Sequence, residues 1–148
     1  MPQSARETAG LGELAMWEMN WIAVVLAAAA GFVVGGIWYG PLFGKAWQRE
    51  SGLSDESIKG ANMPMIFGLV ALLNLFAAFI LGHVLATYGR PDFVTSTIVG
   101  GGIGLGFIAT SLGVNYLFAR KSLKLFAIDA CYWTLVYAVM GAIFGVLS

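Results

Sequence analysis

The chain has 148 residues, of which 11% are charged and 59% hydrophobic, whereas a soluble domain carries about a quarter charged residues. Eight Lys and Arg balance eight Asp and Glu, so no basic surface exists to hold a phosphate backbone, which argues against nucleic acid as a partner. Cys131 is the single cysteine, so no intramolecular disulfide can form, and a mean hydropathy of +0.81 fits a chain solvated by lipid.

The opening stretch, residues 1–20, sets Arg6 against Glu7, Glu13 and Glu18 and has no apolar core. A cleavable signal peptide needs a positive start followed by a short apolar stretch, so no cleavage is expected. Leu11, Leu14, Ala15 and Glu18 fall at helical spacing. These residues therefore read as an N-terminal extension that either lies as a short helix on the membrane surface or is disordered.

Four apolar runs follow, at residues 21–40, 63–87, 93–119 and 125–147, the last with its helix beginning near Leu123. Each has about 20 residues or more, enough at about 1.5 Å per residue to cross a hydrocarbon core of about 30 Å. Runs so rich in Ala, Leu, Phe and Gly carry neither the alternation nor the turn signals of a β-barrel, which leaves helices. The expected fold class is all-α. It is a polytopic membrane protein with one transmembrane domain over residues 21–148, a four-transmembrane-helix bundle with a short interfacial helix after helix one.

After the first run, Pro41 stops the helical hydrogen bonding, and Phe43, Ala46 and Trp47 recur at helical spacing opposite Lys45, Gln48 and Arg49. That pattern predicts the amphipathic interfacial helix. Ser54 before Asp55 and Glu56 reads as the N-cap of a second short helix with an acidic first turn, ending near Gly60. The third loop is little more than Arg120, Lys121 and Ser122, so the third and fourth spans must form a tight antiparallel hairpin. Lys45, Arg49, Lys59, Arg120, Lys121 and Lys124 sit in the first and third loops, against only Arg6 and Arg90 elsewhere. Basic loops are retained in the cytoplasm, which places the N- and C-termini on the periplasmic side.

Met19-Asn20-Trp21 at the start of the first helix, the run Trp38-Tyr39-Gly40-Pro41-Leu42-Phe43-Gly44-Lys45-Ala46-Trp47 at its end, and Ser51-Gly52-Leu53 beyond it resemble the DUF1761 family of small bacterial membrane proteins. From Met19 onward the length and the four-run layout fit too, and members of that family usually begin near the equivalent of Met19. The resemblance implies a multi-pass protein of the bacterial inner (cytoplasmic) membrane. The family's name stands for a domain of unknown function, so the resemblance supplies no activity and carries over no catalytic residue.

Glycines fall four apart at Gly31 and Gly35, Gly36 and Gly40, Gly100 and Gly104, Gly102 and Gly106, and Gly141 and Gly145. Such pairs line one helix face and let backbones approach, which matters where no hydrophobic effect drives helices together. Gly100 with Gly104 is the pair most expected to meet another helix. The glycines of 100–106 also resemble a nucleotide-binding loop, but such a loop follows a strand in a soluble βαβ unit, so that reading fails. Trp38, Tyr39, Phe43 and Trp47 gather where the first helix leaves the bilayer and read as interfacial anchors, with a stacked site for a lipid or quinone headgroup as the alternative. Met63, Met65 and Met140 read as packing residues, not a copper path.

His83, the only histidine, is expected to hydrogen-bond Thr87 or Tyr88 near the end of the second span, with Arg90 and Asp92 close by. With no further His, Cys or Glu at hand, no metal site is expected, and no cofactor. Asp129 is the only formal charge within any apolar run, and such residues face the bundle interior, pair with something and mark function. Asn74 and Asn115 are the other strongly polar intramembrane side chains. Counted from the loop, Asn115 lies about 6 Å into the bilayer and Asp129 about 9 Å, so Asn115 is the expected partner across the hairpin.

Two functions follow as expectations, neither of them enzymatic. In the first the chain is a structural or accessory subunit that packs against other membrane protein subunits or forms a homo-oligomer in the lipid bilayer. In the second it is a small carrier or channel for an ion or small molecule, with a polar path near Asp129, Asn115 and Asn74.

Overall fold

The computed structural model describes residues 18–147, so most of the stretch read as an extension, Leu11, Leu14 and Ala15 included, lies outside the described residues. Among the described residues six helices follow one another: α1 Trp21–Leu42, α2 Gly44–Ser51, α3 Asp55–Lys59, α4 Met63–Thr87, α5 Phe93–Phe118 and α6 Leu123–Leu147. The four longest, α1, α4, α5 and α6, have 22, 25, 26 and 25 residues and are long and apolar enough to cross a membrane. The expected all-α, four-span architecture is the one observed.

Each span starts on a residue whose side chain accepts a hydrogen bond from an otherwise orphaned backbone N–H. Asn20 accepts from Ala23, Asn62 from Met65 and Asp92 from Val94 and Thr95, while the Ser122 hydroxyl accepts from Leu125. The backbone N–H of Thr95, with its hydroxyl, holds the Asp92 carboxyl below the ordinary carboxylate range. Ser54 caps α3 as the sequence indicates, accepting from Ser57 at 3.1 Å. Helix α2 ends on Gly52 at φ 77°, with the Leu53 N–H returning 3.2 Å to the Gln48 carbonyl.

The first span runs past the expected end at Gly40. Residues Trp38–Leu42 widen into a π-helical turn, closed by the Phe43 N–H on the Trp38 carbonyl at 2.8 Å. Pro41 has no N–H to give, and Gly40 leaves the helical region with ψ −105°, so the chain bends there into α2. A second π-helical stretch, Gly104–Ala109, interrupts α5.

In lipid the spans are held by close contact, and the closest is the hairpin of α5 on α6. A Cβ on Gly104 would stand 2.8 Å from the Thr134 Cα, and one on Gly145 2.6 Å from the Phe93 Cα. Gly100 faces the Tyr137 carbonyl and Gly141 the Ser96 carbonyl in the same way. Gly102 and Gly106 do not belong to this seam: a Cβ on either would meet nothing within 4 Å, and the same holds for Gly36 and Gly40. Residues two apart on a helix point about 200° apart, so α5 cannot turn both glycine pairs toward α6. Gly31 and Gly35 meet side chains, Asn74 and Tyr132 respectively, instead of a helix backbone.

Helix α1 joins the two halves, packing on α6 on one side and on α4 on the other. Their shared core holds Val24, Ala27, Ala78, Leu81, Val136 and Met140. Met140 therefore packs as expected, whereas Met63 and Met65 are exposed. So are Leu72, Leu73 and Phe76 of α4 and Ile98, Leu105 and Phe107 of α5, which form the apolar outer face.

Helix α2 folds back over the end of the hairpin. Glu50 accepts from the Ser122 hydroxyl at 2.6 Å and lies 3.9 Å from the Lys124 ammonium, which ties the first loop to the third. At the opposite end Asn20 Nδ2 donates to the Leu147 carbonyl at 2.8 Å, and the Arg90 guanidinium reaches the Glu18 carbonyl. Both ends of the bundle are thereby latched by side chain to backbone or side-chain hydrogen bonds.

Candidate functional site

Asp129 is the seventh residue of α6 and only 5% exposed, so its carboxylate must find partners inside the bundle. It finds them on two other helices. The Tyr39 hydroxyl of α1 donates to Oδ1 at 2.7 Å and the Tyr116 hydroxyl of α5 donates to Oδ2 at 2.6 Å. Both are short, as hydrogen bonds to a carboxyl group are. Asp129 thus joins α1, α5 and α6 at one depth.

The π-helical turn at the end of α1 supplies this geometry, because it carries Trp38 and Tyr39 together to the α6 surface. Trp38 Nε1 donates to the Ile128 carbonyl at 3.2 Å, next to Asp129. Tyr39 packs edge-on against Tyr132 with ring centres 4.7 Å apart, and against Trp47 of α2 at 5.5 Å. Tyr132, three residues beyond Asp129, donates in turn to the Gly31 carbonyl at 3.3 Å. Asn74 of α4, 3% exposed, lies against the same Gly31. A line of polar groups therefore runs through the core from Asn74 past Gly31, Tyr132 and Tyr39 to Asp129 and Tyr116.

Several expected placements change. Asn115 is exposed and is not the partner of Asp129; its neighbour Tyr116 is. Depth along the helix matches for both, but one residue is a rotation of about 100°, which decides which of them faces α6. Trp38 and Tyr39 are not simple interfacial anchors, since both make hydrogen bonds inward to α6. Phe43 packs at a tilt against Trp38, 4.6 Å between ring centres, and Trp47 meets Tyr39 edge-on from α2. His83 and Thr87 do meet, but it is the Thr87 hydroxyl that donates to the His83 main-chain carbonyl, at 2.9 Å. The His83 ring stacks near Phe79 instead, 6.4 Å between centres. Asp92 caps α5, and Arg90 is engaged with Glu18.

Tyr116, Tyr132 and Glu50 carry the site and its support, and none is singled out by sequence pattern. A tyrosine inside an apolar run looks like any aromatic packing residue. Its hydroxyl still needs a partner when buried, so the tyrosines within reach of Asp129 on the same and neighbouring helices were the available signal.

The arrangement uses both carboxyl oxygens as acceptors of phenol hydroxyls and leaves the aspartate as a junction of three helices. No curated protein and no solved structure matches the chain. A family model described as a protein of unknown function, DUF1761, matches residues 22–145, from the first turn of α1 to the last turns of α6. The chain, a multi-pass membrane protein by its four apolar helices, belongs to the DUF1761 family.

Proposed function

We propose that this protein is a non-enzymatic structural or accessory subunit of the bacterial inner membrane, working in a homo-oligomer or with other membrane proteins. Its basic end, with α2, α3 and the α5–α6 turn, faces the cytoplasm, and both termini face the periplasm. The observation that carries this reading is the local saturation of Asp129 by Tyr39 and Tyr116. A carboxylate bound up in this way fastens helices; it is not set to receive a substrate. The exposed faces of α4 and α5 supply surface for partners, and Gly102 and Gly106 leave room there for a close crossing.

Purification in a mild detergent followed by cross-linking tests the assignment. A defined oligomer or a stoichiometric partner is expected, and a lone monomer without partners would overturn it. Asp129→Asn keeps the shape and one acceptor oxygen while deleting the charge, and the tyrosine hydroxyl that faces the new amide can turn to accept from it, so assembly should be near normal in that variant.

The polar line from Asn74 to Asp129 favours a second reading, a small carrier or channel for an ion or small molecule. Asn115 has no part in it, being exposed. Flux across proteoliposomes that disappears in Asp129→Asn while assembly persists would establish this reading in place of the first.

A further inference from the structure

The neutral total of this chain conceals a separation of charge along the bundle. Lys45, Arg49, Lys59, Arg120, Lys121 and Lys124 lie at the end that carries α2 and α3, against Glu50, Asp55 and Glu56. At the other end the described residues hold Glu18, Arg90 and Asp92. We infer that the basic end is a docking surface for the headgroups of anionic phospholipids, which it takes in preference to zwitterionic ones. The inference goes beyond the subunit role proposed above and rests neither on that role nor on the orientation in the membrane.

Pairing within the chain leaves most of these cations unused. Among the described residues only Glu50 meets any of them, 3.9 Å from the Lys124 ammonium and 4.0 Å from the Arg49 guanidinium, and it also accepts from Ser122. Asp55 is taken by the neutral Gln48 carboxamide, at 2.6 Å. Lys45, Lys59, Arg120 and Lys121 have no ion pair or side-chain hydrogen bond among the described residues. Uncompensated cations gathered at one level repel one another, and anions supplied from outside relieve that repulsion.

Their level matches a lipid headgroup. Lys45 lies three positions after the last residue of α1 and Lys59 four before the first of α4, while Arg120 and Lys121 fill the turn between α5 and α6. The headgroup layer flanking the hydrocarbon is about 5 to 7 Å deep, so cations this near the span ends stand among the phosphates. The Glu50–Ser122 hydrogen bond holds α2 against the α5–α6 turn, which makes the cations of both one surface. Trp47 turns onto Tyr39, and Lys45 and Arg49, four residues apart on α2, are exposed together. Clusters of about four to eight cations beside a span attract anionic lipid, each charge adding a factor of about five in affinity. Headgroup phosphates arrive singly and need one or two cations each. A nucleic acid needs a continuous basic track, which six cations interrupted by three carboxylates do not make.

Arg120 supplies a second, independent argument. It stands at φ 52°, its N–H on the Leu117 carbonyl, and the Lys121 N–H returns to the Tyr116 carbonyl to close the end of α5. Glycine fills such a left-handed position with less strain than any L side chain, so the turn by itself favours glycine. A residue that breaks the local rule and finds no partner in the chain serves something outside it. The surrounding headgroups supply that partner.

Calorimetric titration of the purified full-length chain in a neutral detergent tests this. The probes are short-chain phosphatidylglycerol, short-chain phosphatidylcholine and inorganic phosphate, with titrations into protein-free micelles subtracted. Saturable binding of phosphatidylglycerol is expected, at least tenfold tighter than that of phosphatidylcholine and weakening as salt is added. Lys121→Gln and Arg120→Gly should each lower the affinity about fivefold, and Arg120→Gly should do so with an unchanged or raised unfolding temperature. Glu56→Gln, which removes a carboxylate from the same surface, should tighten binding. Equal affinity for the two lipids overturns the inference, as does wild-type affinity in both Lys121→Gln and Arg120→Gly. Inorganic phosphate that displaces the lipid at equal concentration would assign the surface to a free anion, and a polyglutamate peptide that binds more tightly than the lipid would assign it to an acidic protein; either result overturns the inference too.

Discussion

Replacing Gly104 by Ala, beside Gly102→Ala as its partner experiment, separates a packed glycine from an open one on the same helix. At Gly104 the new methyl would lie 2.8 Å from both the Thr134 Cα and the Trp133 carbonyl oxygen, about 0.6 Å short of the 3.4 Å where ordinary contact begins. Both atoms are main chain, so no rotamer change relieves the overlap and α6 must move away. That displacement also opens the contacts of Gly100, Gly141 and Gly145 along the seam, and overpacking of this kind costs about 1–3 kcal/mol. Alanine returns up to about 1 kcal/mol in helix propensity at either position. Gly102→Ala should therefore be neutral or slightly stabilising, and Gly104→Ala destabilising, with a gap between them of about 1–3 kcal/mol. For a chain of this length that corresponds to a separation on the order of 5 °C in unfolding temperature. Circular dichroism melts of the two variants in one detergent measure it. If Gly104→Ala melts at or above Gly102→Ala, the α5–α6 seam is not held by this close approach and the packing account is wrong.

Other perturbations address the site and the latches. Tyr116→Phe and Tyr39→Phe each leave one oxygen of Asp129 unmatched and should each cost about 1–3 kcal/mol in the same melts, with the double variant well short of additive; no change in either would show that the junction is idle. Glu50→Ala removes the acceptor for Ser122 and should raise the rate at which an added protease cuts the connection from Gly52 to Asn62, with little change in the melt, since the Lys124 ammonium of the ion pair is exposed to solvent and screened. The Asp92 carboxyl titrates below its ordinary 3.8, so its contribution as a cap is complete above that pH and is lost as pH falls through the lowered value. Unfolding temperature between pH 6 and pH 2 should accordingly fall at the acid end less in Asp92→Ala than in the unaltered chain. A reporter active only in the periplasm, fused at Ser148, should be active; a silent, well-expressed fusion with a bright cytoplasmic reporter at the same point would invert the proposed orientation.

Much of this molecule follows from local rules that need no knowledge of its neighbours. Span length and apolarity set the four long helices, and Ser54, Pro41 and the short Arg120–Ser122 turn mark where α3 starts, where α1 bends and why α5 and α6 lie together. The buried carboxyl of Asp129 was legible as well, because a charge inside an apolar run is costly wherever the run is placed. What could not be read was rotation. Four spans with nearly uniform apolar character give no stripe to orient, so the sequence does not say whether Asn115 or Tyr116 faces α6, nor whether Gly100 and Gly104 or Gly102 and Gly106 form the seam. Those choices are made by backbone contact between α5 and α6, and by the π-helical turn that brings Trp38 and Tyr39 inward. The partners of Asp129 come from positions 90 residues before it and 13 residues before it, on helices whose relative rotation only the packed bundle fixes.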